Sequence, residues 1–186
     1  VTMKQYVDLE GAGELTTKIT YTGSASFTGT AGTVLGASNA ELRFLTVENT
    51  GGPNYALAIN NSSASPRLTH VTATASGGTF GNYGVSNASS SSPTMTNVTA
   101  TASGGTENYG VVNNSSSPTM TNVTATASGG ERSYGVYNAS SSSPTMTNVT
   151  ATASGGTYNY GVYNNSTCSP MMTNVTATAS GGLDSI

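Results

Sequence analysis

The feature that most constrains this chain is a Gly-Gly pair that returns at near-constant intervals. It occurs at Gly51-Gly52, Gly77-Gly78, Gly104-Gly105, Gly129-Gly130, Gly155-Gly156 and Gly181-Gly182, with spacings of 26, 27, 25, 26 and 26 residues. Between pairs the text is nearly constant: Asn108 to Gly130 reads NYGVVNNSSSPTMTNVTATASGG and returns with few changes one unit later. Such self-similarity means each unit is one supersecondary module that buries its apolar face by stacking on its neighbours. No stretch has helical periodicity, and the units are dense in β-branched residues, so each reads as strands joined by turns.

The alternation in Val98 to Ser103 puts Val98, Ala100 and Ala102 on one face and Thr99, Thr101 and Ser103 on the other. The apolar set is expected to face inward. Met95 precedes it with the opposite parity, so the chain must bend between them, at Asn97. A third strand, Y-G-V-x-N at Tyr109 to Asn113, is expected to point its tyrosine and valine inward. Its fourth position, held by Ser86, Val112, Tyr137 or Tyr163, is expected to point outward. Gly-Gly and the Ser-Ser-Pro tracts supply the turns. Three short strands and three bends per unit describe one coil of a right-handed parallel β-helix, an all-β solenoid of about 26 residues per coil. A propeller blade of about 40 residues or more is too long for this unit, and the six-residue sub-period of a left-handed hexapeptide helix is absent.

Stacked coils turn repeated residues into columns. His70, Asn97, Asn122, Asn148 and Asn174 are expected to form one amide ladder at a buried bend, with His70 in the place of an amide. Asn87, Asn113, Asn138 and Asn164 form a second ladder. Residues 1–186 read as a single domain: 1–38 form irregular opening coils, with strands at Tyr6–Leu9 and Lys18–Tyr21, 39–182 are regular repeats, and 183–186 a truncated end. Leu42, Leu45 and Val47 occupy inward positions of the first regular unit. The absence of evident caps leads us to expect a portion of a longer protein, or a chain that self-associates end to end.

The opening LEGAGELTTKI at Leu9 to Ile19, followed by repeats such as SPTMTNVTATASGG at Ser92 to Gly105, resembles right-handed β-helix proteins of the pectin-lyase-like superfamily. The opening looks like the strand–turn–strand of pectin methylesterase-type coils, and the repeats look like those of non-catalytic bacterial surface or secreted β-helices. That resemblance implies the fold. It leaves activity open, because the superfamily spans lyases, esterases, tailspikes, adhesins and spacers.

Chemistry is sparse. Only 7% of residues are charged and the net charge is −3, so counterion release cannot drive nucleic-acid binding, and no apolar run reaches the ~18 residues of a membrane helix. Within the regular coils between residues 53 and 182 the carboxylates are Glu107 and Glu131. Glu107 shares a column with Arg132, and Glu41 with Arg67, as surface ion pairs. The paired acids that polysaccharide cleavage needs are absent there. No cofactor is implied, no metal-ligand spacing occurs, and Cys168 stands in a turn with no disulfide partner. Asn97, Asn122, Asn148 and Asn174 each begin an Asn-Val-Thr glycosylation pattern, but an inward ladder amide could not carry a glycan.

The outward strand positions offer one array: Thr72 and Thr74, Thr99 and Thr101, Thr124 and Thr126, Thr150 and Thr152, Thr176 and Thr178. This grid resembles the Thr-x-Thr faces of β-solenoid ice-binding proteins. It is also what duplication of a favoured strand residue produces. The expectation from sequence is therefore a non-enzymatic extracellular or cell-surface β-solenoid, a structural spacer or an adhesive scaffold whose partner is a glycan or matrix. An ice-binding protein and a polysaccharide-active lyase or esterase are the alternatives.

Overall fold

The computed structural model describes residues 1–24 and 31–186. It is all-β, and every strand pairing is parallel and joins one coil to the next. The chain winds as a right-handed β-solenoid with two sheets. One sheet, here the threonine sheet, contains Glu41–Asn49, Arg67–Ser76, Thr94–Ser103 and Thr119–Ser128, followed by the split strands Thr145–Thr147 with Thr150–Ser154 and Met171–Thr173 with Thr176–Ser180. The other, the tyrosine sheet, contains Tyr55–Ser62, Gly81–Ala88, Glu107–Asn114, Arg132–Ala139 and Tyr158–Asn164. In the opening, Lys18–Tyr21 is a strand as expected. The strand expected at Tyr6–Leu9 instead covers Leu9–Glu10, because Tyr6 takes a positive φ of 64° and turns the chain.

The expected three legs per coil are present, but the first two belong to one sheet bent at a single residue. Asn97, Asn122, Asn148 and Asn174 adopt φ of 53°, 53°, 54° and 52°, as do His70 at 52° and Phe44 at 54°. Asn is the residue other than Gly that tolerates this left-handed conformation best. One such residue reverses the parity of the strand, which lets Met95 and Val98 both enter the core, with 0% and 1% exposure. Leu42, Leu45 and Val47 are buried as expected.

The interior is a set of columns. Leu68, Met95, Met120 and Met146 stack, as do Val71, Val98, Val123 and Val149, and Val85, Val111 and Val136 meet them from the opposite sheet. The two sheets come closest at Gly84, Gly110 and Gly135. A Cβ on Gly110 would lie 2.7 Å from the Thr126 nitrogen and 2.6 Å from the Gly135 oxygen, so only glycine fits. Asparagines also close the Gly-Gly turns. Asn108 Nδ2 donates to the Gly105 oxygen at 2.9 Å while the Gly105 nitrogen donates to Asn108 Oδ1 at 3.0 Å, and Asn82 and Asn159 do the same one and two coils away.

The two ladders differ in environment. Asn87 Nδ2 donates to Asn113 Oδ1 at 2.9 Å, Asn113 to Asn138 at 2.8 Å, and Asn138 to Asn164 at 2.8 Å, with Asn87, Asn113 and Asn138 wholly buried. Asn61 extends this ladder one coil earlier by donating to Asn87 at 2.9 Å. The Asn97 ladder is equally continuous: Asn122 donates to Asn97 at 3.0 Å, Asn148 to Asn122 at 3.1 Å and Asn174 to Asn148 at 3.2 Å, and Asn97 Nδ2 meets His70 Nε2 at 3.1 Å. Its expected burial is wrong. These side chains lie at the solvent surface, and Asn122, Asn148 and Asn174 are exposed. The left-handed residue is the outer corner of the bend, so its Cβ points away from the core. These amides are therefore not shielded from a glycan by burial.

Candidate functional site

The threonine array sits where sequence placed it. Thr99, Thr124, Thr150 and Thr176 stand in one register row and Thr101, Thr126, Thr152 and Thr178 in the next, with Thr72 and Thr74 heading the rows. Burial alternates along the strands from Arg67 to Ser154, with Ala100, Ala125 and Ala151 inside and the threonines partly or fully exposed, whereas in the last strand Ala177 is exposed as well. Thr72 is engaged: its hydroxyl donates to Glu14 Oε2 at 2.6 Å. Glu14 also lies 3.8 Å from His70 Nδ1, and His70 stacks on Phe44 with ring centroids 5.3 Å apart. Beside it, Arg43 pairs with Glu10 at 2.8 Å and Glu41 at 2.7 Å, and Arg67 reaches Glu41 at 3.8 Å. The Thr69 hydroxyl, at 2.6 Å, holds the Glu41 carboxyl below its ordinary range, with the two arginines assisting. This is a linked charge cluster at the opening coils in which carboxylates outnumber guanidinium groups.

The tyrosines overturn their expected direction. Tyr83, Tyr109 and Tyr134 form an apolar cluster separate from the core, packed with Val112, Tyr137, Tyr160 and Tyr163 on the outer face of the tyrosine sheet. The expectation assumed strict alternation from Tyr109 to Val111. Gly110 takes an inward slot and forms no ladder pair of its own, Val111 is inward as well, and Tyr109 and Val112 are left together outside. The kink is invisible to a period-of-two count.

Two tyrosine rows result. Tyr83, Tyr109, Tyr134 and Tyr160 stack at centroid distances of 4.9, 5.0 and 5.2 Å with planes within 10°. Tyr137 and Tyr163 stack at 5.3 Å and meet the first row edge-on, at 71° and 72°. Parallel rings this far apart are slid across one another, the arrangement aromatic pairs prefer. Tyr83, Tyr109 and Tyr134 are buried in this cluster, while Tyr137, Tyr160 and Tyr163 are partly exposed at its edge. Burial pushes the phenols of Tyr83 and Tyr109 well above the ordinary tyrosine range, and that of Tyr134 up to about 12, with nearby Arg132 opposing the rise. These hydroxyls are neutral donors near neutral pH.

Alongside the rows runs a groove of about 590 Å³ whose walls include Phe80, Tyr55, Tyr109 and Tyr137, with Asn114 and Ser140 at its polar edge. Phe80 is 57% exposed. Glu107 stands in the wall, where its Oε2 accepts from the Tyr109 hydroxyl at 2.9 Å and its Oε1 from Arg132 Nη1 at 3.1 Å. Arg132 Nη2 pairs with Glu131 at 3.0 Å, and its guanidinium lies 6.0 Å from the Tyr158 ring. The column shared by Glu107 and Arg132 was legible in the repeat. The groove was not. Cys168 is half-buried and unpaired. Among the described residues no group of three or more His, Cys, Asp or Glu side chains is placed to hold a metal ion, and no helix is long and apolar enough to cross a membrane.

No family model matches the sequence, and no curated protein matches it either. Among solved structures the chain is similar to a pectin methylesterase from carrot, at 14% identity and a TM-score of 0.51, covering 82% of this chain and 47% of that one. The chain thus spans about half the length of that protein. This finding corrects the expectation that the chain is not an enzyme. The solved structure that shares its coils is an enzyme, and the shortage of acids in the regular coils is no ground for excluding catalysis. The register-perfect coils and this similarity together give the chain a parallel β-helix fold, the fold that the carrot pectin methylesterase shares.

Proposed function

We propose that this chain is an extracellular binding solenoid that takes a glycan chain in the groove of its tyrosine sheet. The observation that carries the reading is the outward double row of tyrosines, with exposed Phe80 at one end and a rim of carboxylate, amide and hydroxyl groups. Apolar ring faces beside a few fixed polar groups are what a sugar ring, with its C–H face and hydroxyl edge, demands of a site. The groove draws on side chains from Tyr55 to Asn165 and so follows the solenoid axis over several coils, the shape of a linear polymer. Low charge and a polar outer surface fit an exported protein. The similarity to a pectin methylesterase is in keeping with a carbohydrate ligand.

The test is retention on immobilised polysaccharides. Phe80→Ala and Tyr137→Ala each remove an aromatic contact and are expected to weaken binding about 5- to 30-fold, the effect of losing about 1–2 kcal/mol. Thr126→Tyr on the opposite sheet is expected to leave it unchanged. Equal loss from all three variants, or none from any, refutes the groove as the site.

The threonine sheet supports a second reading, ice binding, through one observation: its two rows hold register over five coils and carry no charged side chain from Thr94 to Ser180. Thermal hysteresis that disappears in Thr126→Tyr/Thr152→Tyr supports it, and ice growth unaffected by the parent protein removes it.

A further inference from the structure

Resting on the glycan reading, the structure assigns a substrate class: we infer that the groove selects uncharged glycans and excludes polyuronates. A polyuronate presents a carboxylate on each sugar and needs cations to meet it. The chain has five basic residues, Lys4, Lys18, Arg43, Arg67 and Arg132, and only Arg132 lies beyond residue 67. Both arms of that guanidinium are occupied, Nη1 by Glu107 and Nη2 by Glu131. Its coil neighbours in the same rim column run Tyr55, Gly81, Glu107, Arg132, Tyr158 and Asp184. Along this face three carboxylates, Glu107, Glu131 and Asp184, thus stand against one arginine that two of them already hold.

The polar groups of the wall suit hydroxyls instead. Glu107 is a fixed acceptor, and the Tyr109 hydroxyl and the Arg132 guanidinium hold its two oxygens in place. A carboxylate so restrained accepts hydrogen bonds from sugar hydroxyls with little ordering cost, whereas a second carboxylate brought beside it meets like charge. Phenols are uncharged near neutral pH, so the aromatic wall adds donors without adding cations.

The experiment is affinity electrophoresis and calorimetry of the full chain. The probes are a neutral glucan, mannan, xylan and galactan set beside polygalacturonate, each at low and at moderate salt. At least one neutral glycan is expected to bind about ten-fold or more tighter than polygalacturonate at low salt, the size of one like-charge contact. Added salt should narrow the gap. Glu107→Gln/Glu131→Gln frees Arg132 and is expected to raise polygalacturonate binding at low salt, with circular dichroism checking that the coils remain. Polygalacturonate bound as tightly as every neutral glycan overturns the selectivity and leaves the glycan reading standing. Retention of no glycan by either protein overturns both.

Discussion

Replacing Asn113 with alanine removes two hydrogen bonds from a column that water cannot reach. Asn113 accepts from Asn87 Nδ2 at 2.9 Å and donates to Asn138 Oδ1 at 2.8 Å, and all three residues are 0% exposed. The variant strands an amide N–H on Asn87, whose remaining contact is Met95 Sδ at 3.8 Å, and a carbonyl on Asn138. Each buried polar group left without a partner costs about 1–3 kcal/mol, so the loss is about 2–6 kcal/mol before any cavity is counted. The matching experiment is Asn122→Gly on the outer ladder. There the hydrogen bonds have the same chemistry, 3.0 Å to Asn97 and 3.1 Å from Asn148, but the side chain is exposed. Water replaces what is lost, and glycine keeps the φ of 53° at little strain, so the cost is about 1 kcal/mol or less. Urea unfolding followed by far-ultraviolet circular dichroism reads the global difference. Hydrogen exchange at the flanking coils reads the local one, which matters in an array where coils can open separately. Equal destabilisation by the two variants refutes the assignment of one ladder to the interior and the other to solvent.

Gly110→Ala forces a Cβ to within 2.6–3.0 Å of backbone atoms of Gly135, Thr126 and Ala125. It is expected to lower stability by about 1–3 kcal/mol, measured as a fall in the urea midpoint, while an unchanged midpoint removes the close approach of the sheets. The buried tyrosines make the fold sensitive to alkali. Their pKa values are raised in the folded chain, to about 12 at Tyr134 against an ordinary 10.0, so the unfolded chain binds fewer protons in that window. Stability is then fully present below about pH 10 and falls as pH rises through 10–12. Tyr134→Phe should move the alkaline midpoint upward, followed by tyrosinate absorbance alongside circular dichroism. A downward shift contradicts the burial of that phenol.

The coil period, the inward columns and the threonine rows were legible because each depends on one local rule, alternation along a strand, applied between punctuating glycines. A bend at Asn97 was legible too, since the opposite parity of Met95 and Val98 demands one; its left-handed conformation comes from the structure. What alternation cannot report is which side of a corner a side chain takes, so the outer Asn97 ladder and the inner Asn113 ladder look alike in the text and differ in the fold. The tyrosine face was hidden for a related reason. Gly110 inserts one inward position without a side chain, and the error it introduces carries Tyr109 from the interior to the buried cluster on the outer face of the sheet. That reversal matters most for the proposed glycan site, because the groove exists only once Tyr109 and Tyr137 share a face.

The same repeat supplies two outward surfaces, and they differ in how the copies vary. On the threonine sheet the paired outward positions hold threonine in all five coils from Thr72 to Thr178. On the tyrosine sheet the outward position beside the ring row holds Ser86, Val112, Tyr137 and Tyr163 in turn, and the rim column holds Gly81, Glu107, Arg132 and Tyr158. Packing explains this contrast only in part: Val112 is buried against the tyrosines, whereas Glu107, Arg132 and Tyr158 of the rim column are partly exposed, where substitution costs little. Duplication does not explain it, because copying reproduces both surfaces equally. The changes on the tyrosine face are also not scattered in kind. They set a lone arginine between two carboxylates and place second-row tyrosines against the first. A surface whose copies diverge into complementary neighbours is one whose columns have been adjusted to each other. The groove of the tyrosine sheet is accordingly where the ligand of this solenoid should be sought first.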